Sequence, residues 1–184
     1  MNVYLLQPGN QDFWGGTQNY NSDGNLSDLL GAVWGSGTQI PNGNSDPCIA
    51  LLSVQQGLAS INSSQHLTPI SCSKPINILS PRLYDACLRA NPLGKGKDQP
   101  TLLWIGSKAA DNSAHLMCIQ LRDAIVSDVS SQGAPDGVPT EAFQFTYTEV
   151  LWTASAQNNE GKSFGNISAG WSSIVNKPIG QFTD

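Results

Sequence analysis

The sequence has few charged residues. They make up 12% of the 184 residues, about half of the roughly 25% that is usual for a soluble domain. Asn, Gln, Ser, Thr and Gly replace them. Disorder is one explanation of so polar a chain, but five Trp and clear strand periodicity argue against it. The alternative is a large surface that contacts other protein, because the cores of interfaces are depleted in Lys, Glu and Asp.

A basic patch, a long apolar run and an export signal are also absent. The net charge of −5 argues against a nucleic-acid-binding protein, which needs positive charge to contact phosphates. No apolar run approaches the roughly 18 residues of a membrane helix, so we expect no membrane insertion. The first ten residues have no basic start and only a short apolar run. We therefore expect synthesis in the cytoplasm and any export by a route that reads no signal peptide.

Residues that bind metals or form disulfides are sparse. The histidines, His66 and His115, form no His-x-x-x-His or Cys/His cluster, so we expect no metal site. No Cys-x-x-Cys pair occurs among the cysteines, which are Cys48, Cys72, Cys87 and Cys118. We expect Cys87 and Cys118 to be buried thiols, because they lie in apolar periodic stretches. A disulfide between the other two is conceivable across a loop-rich region, but a cytoplasmic origin disfavours it.

Candidates for catalysis are weak. The sequence has no Gly-x-Ser-x-Gly elbow and no phosphate-binding loop. His115 lies beside Asp111 without a partner motif, and we interpret it as structural or solvated. Asp123 and Glu149 interrupt the two longest strand patterns and could approach one another, as the acids of a glycosidase do. The simpler interpretation, which we favour, is that both face solvent or a partner. We therefore expect no enzymatic activity and no cofactor.

Two alternating runs, residues 115–129 and 142–152, are the strongest structural signal. Apolar side chains repeat every two residues on one face of each run, as in a strand. These residues are Met117, Ile119, Leu121 and Ile125 in the first run, and Phe143, Phe145 and Tyr147 in the second. The segment between the runs is rich in Gly, Pro and Asp, which favour turns. We predict a long antiparallel hairpin, too apolar on one side to be stable alone in water.

The rest of the chain predicts short elements around this hairpin. Strands are predicted over residues 2–7, 75–79 and 101–106, and residues 62–74 are predicted to be a polar loop. A helix is predicted to begin at Ser80-Pro81 with the serine as its cap and to end at Asn91-Pro92. Residues 49–61 fit a strand or a short helix, and residues 26–34 fit a short helix weakened by glycine. We predict a mainly β fold, an antiparallel β-barrel of two packed sheets with one short helix on its side.

Four stretches together resemble a known family. The first is a strand beginning near Lys74-Pro75, followed by the helix at 81–90 and the strand TLLWIG. The others are the strand IQLRDAIVSDVSSQG, the segment EAFQFTYTEVLWTASAQNNEG, and SAGWSSIVNKP near the end. In this order, over residues 74–178, they resemble the haemolysin-coregulated protein (Hcp) family, the tube subunit of bacterial type VI secretion systems. Arg122 stands where the family usually has an acid or a lysine.

The resemblance implies a structural function. Such subunits form homohexameric rings that stack into a tube, which is built in the bacterial cytoplasm and fired out of the cell. The implied partners are other copies of the chain, the spike protein, the contractile sheath, the baseplate and small effector proteins in the lumen. The loop between the second and third strands of the family contacts the neighbouring ring. In this sequence that loop contains Asn62, Ser63, Ser64, Gln65 and His66.

The first third of the chain departs from the family pattern. The family's second strand corresponds either to residues 29–39 or, by spacing, to residues 49–61. In the second case residues 8–48 are an insertion in a single domain of residues 1–184. A specialised secreted effector with a binding function in this insertion is then an alternative. A second alternative is a carbohydrate-binding β-sandwich, which Trp14, Trp34 and Trp171 suggest.

Overall fold

The computed structural model shows a chain built mainly of antiparallel strands. It describes residues 2–15, 23–34, 47–61, 64–133 and 137–184, with only the backbone at 27, 32, 34, 61 and 64. The strands are β1 Asn2–Gln7, β2 Gly24–Asn25, β3 Pro47–Leu51, β4 Ser53–Gln55, β5 Leu58–Ile61, β6 Ser64–Leu67, β7 Ile70–Pro75, β8 Thr101–Lys108, β9 Ala114–Arg122, β10 Ile125–Gln132, β11 Thr140–Thr146, β12 Glu149–Gln157, β13 Ser163–Ser172 and β14 Lys177–Pro178. The helices are α1 Gln11–Trp14, α2 Leu26–Trp34 and α3 Ser80–Arg89.

Three sheets contain these strands, and every pair is antiparallel. The largest has the order β14-β13-β12-β9-β8-β1-β3-β2, the second β10-β11-β7-β4, and the third is the hairpin β5-β6. The predicted mainly β fold with two packed sheets is therefore confirmed. Within the described ranges, however, no strand pair joins the two large sheets into a closed barrel, which needs a continuous ladder. The prediction of a single helix was also too simple, because α1 and α2 accompany α3.

The predicted long hairpin is confirmed, but it bends between the two sheets. The part far from the turn pairs β9 with β12 in the eight-stranded sheet. The part next to the turn pairs β10 with β11 in the four-stranded sheet. At the bend, Asp123 adopts a left-handed conformation with φ of 52°, which Asp tolerates better than most residues. One continuous hairpin therefore connects the two layers of the sandwich.

The predicted core face of this hairpin is largely correct. Ile119, Leu121, Phe143 and Phe145 are at most 1% exposed between the two sheets. Met117 was expected on the same buried face, but it is 36% exposed. It lies on that face in the half of β9 that is farther from the bend, where the core between the sheets does not cover it completely.

Two other local predictions were wrong at the start of α3. The strand expected over residues 75–79 is β7, which lies earlier and inside the expected polar loop. The sequence did not predict β7, because its outer face carries serines and the segment reads as a polar loop. Its strand structure depends on pairing with β11, which a local pattern does not show.

The hydroxyl of Ser80 does not cap the helix. Asn77 instead accepts from the backbone N–H of Leu79, at 3.0 Å.

Segments that were ambiguous in the sequence adopt clear structures. Residues 49–61 lie within the short strands β3, β4 and β5, and residues 26–34 form α2. Leu26, Leu30 and Val33 of α2 are at most 1% exposed. Leu30 and Val33 pack over Gly106 of β8, so α2 covers the face of the eight-stranded sheet that the four-stranded sheet does not.

A buried ion pair connects α3 to the four-stranded sheet. Lys74 of β7 and Glu141 of β11 are 2.8 Å apart, and both side chains are fully buried. The lysine also donates to the side chain of Asn77 at 2.7 Å. The glutamate accepts from the hydroxyls of Ser80 at 2.8 Å and Tyr84 at 2.7 Å. Because each charge has several hydrogen-bond partners, burial of the pair is tolerated and α3 is fixed in position.

Neutralising one member of this pair is expected to destabilise the fold strongly. Glu141→Gln leaves the Lys74 ammonium buried without a counter-ion, which we expect to lower the free energy of unfolding by about 3–5 kcal/mol. The matched control is Asp85→Asn, which removes the exposed i,i+4 pair with Arg89 on α3 and should cost at most about 0.5 kcal/mol. Urea unfolding followed by tryptophan fluorescence measures both, and equal small losses would contradict the assigned role of the pair.

Candidate self-assembly surfaces

The predicted ring-contact residues lie on and beside the hairpin β5-β6. Asn62 and Ser63 fall outside the described residues, as does the side chain of Ser64. Gln65 and His66 are on β6, and both are exposed. In the described part of the chain this hairpin pairs with no strand of the two large sheets. Its polar side chains and backbone are therefore available for contact with another molecule.

Hydrogen bonds at its base attach the hairpin to the sandwich. The side-chain amide of Gln56 accepts from the indole N–H of Trp152 at 3.0 Å and donates to the hydroxyl of Tyr147 at 3.2 Å. Burial raises the pKa of Tyr147, while the bond from Gln56 opposes that rise. Thr68 donates to the carbonyl of Gly57 and closes the base from the other side. The base is thus fixed to β12 through Trp152 and to Tyr147, which directly follows β11.

The structure does not bring the two histidines together. His66 lies on β6, and His115 is exposed near the start of β9, opposite Ser107 and Ala156. Among the residues that the structure describes, no group of three His, Cys, Asp or Glu side chains could hold a metal ion.

None of the cysteines Cys48, Cys72, Cys87 and Cys118 forms a disulfide. Cys48 lies in the cluster beneath α2, whereas Cys72 lies between the two large sheets, so the two do not form the disulfide considered above. Cys118 is buried as predicted, and burial raises the pKa of the Cys72 and Cys118 thiols to about 12. Cys87 is only half-buried, contrary to prediction, because it lines a shallow depression between α3 and β10.

The two candidate catalytic acids flank Arg122 at the bend of the long hairpin. Arg122 Nη1 is 3.0 Å from a Glu149 oxygen, and Arg122 Nε is 3.4 Å from an oxygen of Asp123. The side chain of Glu149 is fully buried, so the expectation that it faces solvent or a partner was wrong. The reason is that Arg122 and the end of the chain together supply its hydrogen bonds. An arginine between the acids suits an ion-pair network rather than a hydrolytic pair.

Thr183 completes this network. Its backbone N–H and its hydroxyl donate to the two oxygens of Glu149, at 3.0 and 2.6 Å. Burial by itself raises the pKa of this acid, but hydrogen bonds from Ser172, Thr183 and Arg122 outweigh it, so the pKa lies below its usual value. Nothing in the sequence pairs residues 122, 149 and 183, so sequence reasoning missed the network. The one available signal was an acid at the apolar start of β12.

The sequence alternatives receive less support from the tryptophans. Trp14 is 5% exposed, packs edge-on against Phe13 and donates to the carbonyl of Pro8 at 3.3 Å. It is therefore unable to stack on a sugar from solvent. Trp171 is half-buried against the core between the sheets, and the side chain of Trp34 lies outside the described residues.

Comparison with known proteins gives a consistent result. The family model described as "Type VI secretion system effector, Hcp" matches residues 49–153. No curated protein matches in sequence. A solved structure of a type six secretion system protein is 19% identical with a TM-score of 0.63, covering 97% of this chain and 100% of its own. For Hcp1 from Salmonella typhimurium the values are 16%, 0.61, 97% and 99%. For the secreted protein Hcp3 from Pseudomonas aeruginosa they are 15%, 0.53, 91% and 95%.

The fold is thus that of the Hcp proteins, and in this chain it consists of two large antiparallel sheets and the separate hairpin β5-β6. Because the family model covers more than half of the chain, the chain belongs to the Hcp family of type VI secretion system effectors. The resemblance in the sequence is confirmed, and the protein is a tube or effector protein of type VI secretion. Across the described ranges, no helix has the length and apolar character that crossing a membrane requires.

The network around Glu149 predicts a pH-dependent effect of Thr183→Val. The folded-state pKa of Glu149 is lowered, so its stabilising contribution is present above its unfolded pKa of about 4.3 and is lost as the pH falls through the folded value. Removing the hydroxyl bond should cost about 1–3 kcal/mol at pH 7 and clearly less at pH 3.

Urea unfolding at both pH values measures this difference. Thr146→Val, at an exposed position of β11, is the control and should have a small effect that is the same at both pH values. A Thr183→Val deficit that stays constant from pH 7 to pH 3 would show that the hydroxyl does not act through the charge of Glu149.

Proposed function

We propose that this protein is the tube subunit of a type VI secretion system, which forms hexameric rings that stack into a secreted tube. The observation that carries the proposal is the family match over residues 49–153, which spans strands of both large sheets. The small share of charged residues supports it, because charged side chains are costly to bury between subunits. Subunits that meet head to tail close into a ring when the rotation between them allows it.

The partners and location follow from this role. We place the subunit in the bacterial cytoplasm before firing and outside the producing cell afterwards. The tube would contact the contractile sheath around it, the baseplate and the spike protein at its end, and its lumen would carry small effector proteins. The protein would act by assembly, with no cofactor and no chemical reaction of its own.

The hairpin β5-β6 is proposed to contact the neighbouring ring. Its base is fixed to the long hairpin through Gln56, while Gln65 and His66 on β6 are exposed. A rigid base with polar contact residues suits a weak interface, because exposed polar contacts add little net free energy. Stacked rings would then separate on dilution, which a tube that must come apart after firing requires.

We propose that residues 1–184 form one domain, with residues 8–48 as an addition to the family fold. Packing supports this, since Leu26 and Leu30 of α2 are completely buried against the eight-stranded sheet. The described part of the addition thus contributes to the core, which favours a structural role over a separate binding function.

Sizing in solution tests the proposal. Light scattering of the purified chain should give a hexamer that persists at low micromolar concentration, and longer assemblies only at high concentration, because ring contacts are stronger than stacking contacts. Recovery of monomers alone at every concentration would contradict ring formation.

Charge added to the hairpin should separate stacking from ring formation. In Gln65→Glu/His66→Glu, two unpaired acids would have to be buried against the neighbouring ring, so we expect hexamers that no longer form longer assemblies. The control is Arg89→Glu, which makes the same change in net charge at an exposed position on α3 and should leave stacking unchanged. Stacking of the double variant at the wild-type concentration would remove the hairpin from the ring contact.

A further inference from the structure

Residues 177–184, which we call the clasp, run from the outer side of β13 to the bend of the long hairpin. Within the described part of the chain, β14 pairs with Trp171 and Ser172 alone. The next residue, Ile179, donates its backbone N–H to the carbonyl of Gly170 at 3.1 Å. A Cβ atom at Gly170 would lie 2.7 Å from the carbonyl oxygen of Ile179. The clasp therefore crosses β13 in close contact at a position that only glycine allows.

Charged side chains hold the far end of the clasp. Thr183 donates its backbone N–H and its hydroxyl to the two oxygens of Glu149, at 3.0 and 2.6 Å. Arg122 donates to the carbonyl oxygen and to the hydroxyl oxygen of the same threonine. Lys97 pairs with Asp184, which follows it in the clasp. Because two of the acceptors are carboxylates, this attachment depends on the charge of Glu149 and Asp184.

The charges around this corner come from four parts of the chain. They are Arg122 and Asp123 at the bend, Glu149 at the start of β12, Lys97 and Asp98 in the loop before β8, and Asp184 in the clasp. The hydrogen bond and the charge of Lys97 lower the pKa of Asp184. Burial raises the pKa of Glu149, but its hydrogen bonds outweigh burial and the pKa is lowered as well. Both acids therefore stabilise the attachment above their unfolded pKa values, and that stabilisation is lost as the pH falls through the folded values.

The middle of the clasp adds little to the attachment. Its side chains at Lys177, Pro178 and Gln181 are exposed, as is Gly180. Segments with few buried contacts open at a lower free energy than the core of a protein. Once the two acids are neutral, the charge-assisted bonds at the far end are lost, and what remains is the short pairing of β14 and the contact at Gly170.

We propose that the clasp is an acid-sensitive closure over the bend. At neutral pH it covers Arg122 and Glu149, whose side chains are 16% and 0% exposed. Below about pH 4 it detaches as one unit and exposes both side chains. The two large sheets stay in place, because uncharged residues such as Ile119 and Phe143 hold them together. Such a closure does not require ring formation and operates in a single subunit.

Amide hydrogen exchange of the wild type at pH 7 and pH 3 tests the closure. Protection factors measured by NMR remove the effect of pH on the intrinsic exchange rate. We expect the protection of the Ile179 and Thr183 amides to fall at least about tenfold in acid, while the amides of Leu103 and Ile119 in the core keep theirs. Unchanged protection of the clasp would overturn the proposal. So would an equal fall in the core, because it would mean unfolding of the whole chain.

A neutral side chain at position 149 should open the clasp without acid. Glu149→Gln keeps the size of the side chain, so we expect low protection at Thr183 already at pH 7, with little further change at pH 3. The matched control is Asp111→Asn, because hydrogen bonds from Ser113 also lower the pKa of that exposed acid. Asp111 precedes β9, whereas the bend follows it, so this variant should behave as the wild type does.

Full protection of Thr183 at pH 7 in Glu149→Gln would overturn the role of the charge. If that variant does not fold, the exchange of the wild type at the two pH values still decides the proposal.

Discussion

The bend in the long hairpin holds this structure together, because the same two segments contribute strands to both large sheets. β9 and β12 pair in one sheet and β10 and β11 in the other, so neither sheet can shift without changing the register of the second. The bend brings Arg122, Asp123 and Glu149 together. Their charges are compensated at the bend itself, with Thr183 completing the hydrogen bonds of Glu149. On the other side of the sandwich, the buried pair of Lys74 and Glu141 fixes α3 against the four-stranded sheet.

Two surfaces of this sandwich are available for contact with another molecule. The two sheets differ in width, so the inner face of the larger one continues past the smaller one and ends at the open edge of β13. The hairpin β5-β6 is a separate two-stranded sheet whose base is hydrogen-bonded to Trp152 and Tyr147. Both features offer backbone or side-chain groups to another molecule. The acids at the bend, Asp123 and Glu149, are paired with Arg122.

Local patterns predicted several of the elements. The long hairpin follows from period-two apolar residues, β1 and β8 follow from short apolar runs, and Pro81 marks the start of α3 because proline fits the first helical turn. β7 was missed because its serines face outward and its pairing with β11 is a tertiary effect. Met117 was placed in the core because no sequence pattern shows where the second sheet ends. The corner around Glu149 combines residues far apart in the chain, and the contact hairpin came from the family resemblance rather than from its own residues.

The central claim is that this chain acts by binding to copies of itself around an opening. Negative-stain electron microscopy of the purified protein tests it most directly, because individual particles are seen without a model of their interfaces. The account predicts annular particles of uniform diameter with a central hole, some of them stacked end to end. Solid globules the size of one 19.6 kDa chain, at concentrations where assembly is expected, would contradict it.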